Sequence, residues 1–215
     1  MSHACARFVS TILLVALLGS FATAEDGWIT LFDGSDLSAW DNGRGGPPNS
    51  GWVIEGDAVT RKQNAGYLWT KQQFGDFVLE IEFNTTGNSG IFFRTGNPRD
   101  CVQTGFEMQV YKPGKPGKHS VGALYDAVAP SANAAVDGWN KVVITCRGSQ
   151  VTIEMNGQRI VQADLDQWTE PGKNPDGTRN KYRTALKDFP RKGHVGLQEH
   201  GAVVSYRHIR IKPLD

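Results

Sequence analysis

The chain has 215 residues, with 23 Lys+Arg against 22 Asp+Glu and a formal net charge of +1. Its basic residues are scattered among acidic ones, so the sequence lacks the footprint that nucleic acid or an anionic membrane surface would need. Twenty-five glycines, ten prolines and no sustained 3.6-residue apolar period argue against crossover helices and a parallel sheet.

Arg7 precedes an apolar run from Phe8 to Leu18, and Ala22-Thr23-Ala24 supplies the small residues of a cleavage site. Residues 1–24 therefore read as a signal peptide, which predicts a secreted or periplasmic protein. The run is too short for a membrane span of about 20 residues and is broken by Ser10, Thr11 and Gly19, so no membrane insertion is expected after cleavage. The remainder, residues 25–215, has 215 − 24 = 191 residues, the size of a single domain. Losing Arg7 leaves 22 basic against 22 acidic residues, and a neutral partner is the natural inference. Two cysteines remain, Cys101 and Cys146. A disulfide could persist in such a compartment, although Cys146 sits in an apolar strand where a buried free thiol is the simpler reading.

Alternation and turn signals predict strands over 51–55, 77–83, 89–95, 106–111, 123–125, 139–147, 150–156, 194–198 and 203–212. Asn156-Gly157 marks a tight hairpin turn. Short antiparallel strands in this number point to a two-sheet sandwich or jelly roll. Two loops interrupt the rhythm, a Pro/Gly stretch over 111–119 and a long polar excursion over 167–192. Loops of that length inside a domain are functional or disordered.

Strand parity selects candidate site residues. In Gly105-Phe106-Glu107-Met108-Gln109-Val110-Tyr111, Phe106, Met108 and Val110 share one face, and Glu107, Gln109 and Tyr111 share the other. A carboxylate and an amide on one strand face suit a sugar. In Ser89 to Arg94, parity groups Gly90, Phe92 and Arg94, with Arg94 a potential clamp for an anion or hydroxyl. In His194 to Gly201, it groups His194, Gly196, Gln198 and His200, and the glycine leaves room for close approach. Trp69 and Trp168, beside polar loops, are candidates for stacking on sugar rings. A rival carboxylate pair, Glu80 and Glu82, would lie about 6.6 Å apart at roughly 3.3 Å per residue, between the separations of retaining and inverting glycosidases. The alternative for that pair is an ordinary solvated strand face.

Several motifs in order resemble the 3-keto-disaccharide hydrolase domain family. They are Leu31-Phe32-Asp33-Gly34 with Leu37 and Trp40, Phe74-Gly75-Asp76-Phe77, Asn88 to Arg94, and Gly105 to Gln109. The series continues through Gly122-Ala123-Leu124-Tyr125, Trp139-Asn140, Asn156-Gly157 and Gly196-Leu197-Gln198-Glu199-His200-Gly201. The resemblance implies an all-β, concanavalin A-like jelly-roll sandwich of two antiparallel sheets, one of them concave and ligand-bearing. It implies cleavage of 3-keto-glycosides by β-elimination and hydration. Glu107 and His200 are then the expected proton-transfer pair, Arg94 the stabiliser of the enolate, and Gln109, Tyr125 and Gln198 the partners of sugar hydroxyls. Glu199 stands where the family commonly has aspartate, which bears on a supporting contact or on metal coordination. A divalent metal is left open, and no nucleotide or organic cofactor is expected. The competing readings are a non-catalytic carbohydrate-binding or lectin-like domain on the same fold, and a conventional glycosidase using Glu80 and Glu82.

Overall fold

The computed structural model describes residues 27–214; the leader expected over residues 1–24 lies outside them. The chain forms β1 (Ile29–Phe32), β2 (Trp40–Asp41), β3 (Trp52–Glu55), β4 (Ala58–Arg61), β5 (Leu68–Thr70), β6 (Phe77–Thr85) and β7 (Ser89–Thr95). A single helical turn, α1 (Cys101–Thr104), leads into β8 (Phe106–Val110), β9 (Asn140–Arg147), β10 (Gln150–Met155) and β11 (Gln158–Asp164). The last strands are β12 (His194–Leu197) and β13 (Val204–Pro213).

All pairings are antiparallel. One sheet has eight strands in the order β11-β10-β9-β6-β13-β4-β3, with β1 added beside β13. The other has five, in the order β2-β5-β12-β7-β8. The expected jelly-roll sandwich is therefore what forms. Its core is the seam between the sheets, where Phe77, Leu79, Ile81 and Phe83 of β6 meet Ile91 and Phe93 of β7 and Phe106, Met108 and Val110 of β8. Phe93 stacks on Phe106 and meets Phe77 edge-on. The strict alternation of β6 is the physical reason it forms one wall of that seam.

Strands β1, β2, β4, β5 and β11 are additions to the sequence expectation; the first four are pieces of two to four residues with little room for a period to show, and in β11 the adjacent buried Ile160 and Val161 break the alternation. Residues 123–125, expected as a strand, make only isolated bridges from Leu124 to Met108 and to Val128. Both cysteines are free. The five-stranded sheet is densely buried on both faces, and every residue of β7 and β8 is enclosed.

Arg94 differs most from expectation. Parity assigned it to the ligand face, but its φ is +48°, a left-handed turn of the backbone at the end of β7 that breaks the alternation. Opposite it, the β7–β12 register shifts between His194 and Gly196. The guanidinium is fully buried and crosses to the other sheet. Its Nε donates to Gly75 O at 2.9 Å, Nη1 to Gly148 O at 2.7 Å and Nη2 to Asp76 Oδ1 at 2.7 Å. Asp76 in turn accepts from the Gly148 N–H. Arg94 thus ties β7 to the start of β6 and to the β9–β10 turn, and it is removed from the set of residues that meet ligand.

Replacing Arg94 by Met should destabilise the fold by about 3 kcal/mol, the low end for breaking a buried ion pair, because Asp76 retains 34% side-chain exposure. Denaturant unfolding measures this; a loss below 1 kcal/mol would show that the tie is dispensable.

Candidate active site

The outward face of the five-stranded sheet carries the polar residues. Glu107 on β8 stands opposite Phe92 on β7, and beside it Gly90 leaves the space its carboxylate fills: a Cβ at Gly90 would collide with it. Gly196 on β12 plays the same part for Trp69, whose indole covers it. Trp69 packs against Tyr67 and Phe92, with ring centroids 5.9 and 5.6 Å away. Two glycines in neighbouring strands therefore let a carboxyl and an indole lie flat against the sheet.

Gln198 extends β12 by one residue, its N–H donating to Gly90 O at 2.9 Å. Its amide lies beside Glu107 and Tyr67, and its Oε1 is buried without a partner among the described residues. Gln109 sits further along β8 and donates to Asn88 Oδ1 at 2.7 Å. Tyr125 follows the bridge to β8, its N–H donating to Glu107 O at 2.9 Å.

The two irregular loops close over this face. From the polar excursion, Lys181 sets its ammonium 3.8 Å from the centre of the Tyr125 ring. Tyr182, buried, donates to Tyr125 O. From the Pro/Gly loop, His119 stacks on Tyr125 at 4.8 Å. Asp126 stitches the two together, its Oδ1 2.8 Å from His119 Nε2 and its Oδ2 accepting the Lys181 N–H at 2.7 Å.

Glu107 is 5% exposed. Burial pushes its carboxyl up to about 7, against the opposing pull of the Lys181 cation and the Gln198 amide. Its charge reaches outward: burial first and then Cys101 raise Tyr67 to about 12, and burial followed by Glu107 raises Cys101 to about 11. Lys181 is lowered by desolvation of its ammonium and held up by Glu107. A buried carboxyl that titrates near neutrality has a proton affinity suited to proton transfer at physiological pH.

Glu107, Gln198, Tyr125 and Trp69 therefore gather where the sequence put them, and Gln109 lies at the far end of their strand. Other expected residues do not join them. Trp168 is buried, donating from Nε1 to Asn174 Oδ1 at 2.8 Å, and belongs to the core beneath the long excursion rather than to a stacking surface. His200 is exposed beyond the end of β12, since the chain leaves the sheet after Gln198. Glu199 makes an ion pair with Arg61, a supporting contact rather than a ligand. Among the described residues no three His, Cys, Asp or Glu side chains are grouped to hold a metal ion.

Glu80 and Glu82 lie on the outer face of the eight-stranded sheet, each in ion pairs. Glu80 is 2.9 Å from Arg210 and 3.4 Å from Lys141, and Glu82 is 2.8 Å from Arg207 and 3.3 Å from His208. Burial raises Glu82, but hydrogen bonds from Arg207 and His208 prevail and hold it below its ordinary value. Both carboxylates are committed to ion pairs on the sheet away from Glu107, an arrangement of a structural surface rather than of a glycosidase pair.

Tyr67 and Lys181 were missed from sequence. Tyr67 shares parity with Trp69 in Tyr67-Leu68-Trp69, a usable signal. Lys181 lies in an aperiodic loop and has none.

Residues 27–212 match the 3-keto-alpha-glucoside-1,2-lyase-like domain. The chain belongs to that family. It is 29% identical to a 3-keto-disaccharide hydrolase of Bacteroides thetaiotaomicron over 88% of this chain and 79% of the relative. Among solved structures it is similar to a candidate glycosyl hydrolase of Parabacteroides distasonis, with TM-score 0.78 and 26% identity over 87% of this chain and 99% of that one. A second such protein from the same organism shares the fold at TM-score 0.71 and 21% identity, covering 88% and 94% of the two chains.

The raised carboxyl has a thermodynamic consequence. With a folded pKa of about 7 above its ordinary 4.5, Glu107 holds a proton in the folded chain that the unfolded chain releases between those values. Its stabilising contribution is thus complete below pH 4.5 and lost as pH rises through 7. Glu107→Gln should leave stability unchanged at pH 4 and add about 3 kcal/mol at pH 8, read by denaturant unfolding at both pH values. Lys181→Met should move the Glu107 titration further upward, measured by carboxyl infrared or NMR titration against Glu107→Gln; an unmoved or lowered value would contradict the electrostatic coupling.

Proposed function

We propose that this protein cleaves glycosides whose sugar carries a ketone at carbon 3, by β-elimination followed by hydration. The observation that carries the reading is the Glu107 carboxyl, buried on a polar sheet face with a pKa near 7, on a chain of this family. The ketone acidifies the proton on carbon 2. Glu107 as carboxylate removes that proton, and the electron pair passes into the carbon 3 carbonyl to give an enolate. Collapse of the enolate breaks the carbon 1–oxygen bond and leaves an enone; water then adds at carbon 1, so the net change is hydrolysis.

The enolate needs a cation or donors aimed at it. Lys181, with its ammonium over Tyr125, takes the part that the sequence suggested for Arg94. Gln198 and Tyr125 meet sugar hydroxyls, Gln109 lies further along the groove, and Trp69 forms an apolar wall. The leaving oxygen takes its proton from solvent in this reading, since His200 is exposed beyond the end of β12 and outside the group around Glu107. Residues 1–24 are its export signal.

Release of nitrophenol from a nitrophenyl 3-keto-glucoside tests the proposal, with the unoxidised glucoside as control. Glu107→Gln should lower kcat/KM by about 10²–10⁴-fold, whereas His200→Ala should leave turnover largely intact. The wild-type rate should climb with pH through about 7 as the base ionises. Equal cleavage of the unoxidised glucoside, or full activity in Glu107→Gln, would sink the reading and favour a carbohydrate-binding role.

A further inference from the structure

Beside Glu107 opens a cavity of about 590 Å³ whose lining includes Asn42, Arg44, Tyr67, Trp69, Arg99 and Cys101, within the size range of small-molecule sites. Tyr67 and Trp69 of its wall pack against Phe92, which stands opposite Glu107 on the neighbouring strand, so the cavity adjoins the acid. Its wall contains two arginines and no carboxylate. Among the described residues, neither guanidinium makes an ion pair or a hydrogen bond, although the backbone N–H groups of both are held by Asn42 and Asn97.

A second observation points the same way. The buried Trp40, Trp52 and Trp168 each donate their indole N–H to a protein oxygen. Trp69, only 2% exposed, donates to none among the described residues, and its Nε1 edge faces Gly43 in the cavity wall. A buried indole N–H normally finds an acceptor. This N–H lies at the cavity wall, where an oxygen of a bound molecule can accept from it. Unused donors, two of them permanently charged forks, and no competing carboxylate make a wall complementary to an oxyanion.

Building on the glycoside-cleaving reading above, we propose that this cavity is the subsite for the leaving group and selects one that carries a carboxylate, such as an acidic sugar. The keto sugar lies over Glu107 and Gln198. The next residue of the substrate enters the cavity, places its acidic group between Arg44 and Arg99, and presents an oxygen to the Trp69 N–H.

The test separates binding from turnover. Phenyl 3-keto-glucoside and its 4-carboxyphenyl counterpart are titrated calorimetrically into the full chain carrying Glu107→Gln. The carboxylated ligand should bind about tenfold tighter at low salt, with the advantage shrinking at high salt. It should vanish when Arg44→Gln and Arg99→Gln are added, substitutions of exposed side chains, while the affinity of the uncharged ligand stays unchanged. Equal affinity for the two ligands, or a preference that survives the arginine substitutions, overturns the subsite. Wild-type protein that binds with the expected preference but cleaves neither compound overturns the catalytic reading and leaves the subsite standing.

Discussion

The contact on which the arrangement rests is the buried guanidinium of Arg94, which leaves the ligand-bearing sheet and spends three donors on Gly75, Asp76 and Gly148 of the opposite layer. A β-sandwich is held mainly by non-directional apolar burial, which fixes how far apart the sheets lie but only weakly how they are rotated. A charged, planar fork that satisfies two backbone carbonyls and a carboxylate supplies direction. It pins the end of β7, the strand against which β8 and β12 both pair. Glu107, Gln198 and Trp69 therefore inherit their relative positions from a residue that touches none of the proposed chemistry.

The second constraint is desolvation. Packing a carboxyl onto the backbone of Gly90 removes most of its water, and the protein returns only part of that solvation, through an amide and a distant ammonium. The incomplete repayment keeps the group near neutrality instead of near 4. An outer-face carboxylate such as Glu80, flanked by Arg210 and Lys141, shows the opposite case, in which neighbouring cations stand in for lost water. Stability and reactivity are set against each other at Glu107.

Period-2 patterning made the sandwich and the strip of Glu107 and Gln198 legible, because both sit within strands long enough for parity to hold. Parity failed at Arg94, where a positive φ turns the strand, and at His200, where β12 has already ended. It was silent on Lys181, which reaches the site through loop contacts to Asp126 and Tyr125 rather than through any repeat. Trp168 illustrates a different limit: a tryptophan beside polar residues reads as a binding platform until the loop is seen to wrap around it and supply Asn174 to its N–H. Local alternation predicts which way a side chain leaves a strand, but not what a returning loop will place on top of it.

The two free cysteines carry a consequence for how the chain is made. Cys146 is wholly enclosed, with burial raising it to about 12, and Cys101 is raised to about 11, so at neutral pH both are essentially thiols rather than the thiolates that oxidation and disulfide exchange require. The sheets are joined by an arginine where a chain of this size might have used a covalent bridge. Among the described residues the native fold therefore contains no bond whose formation needs an oxidant.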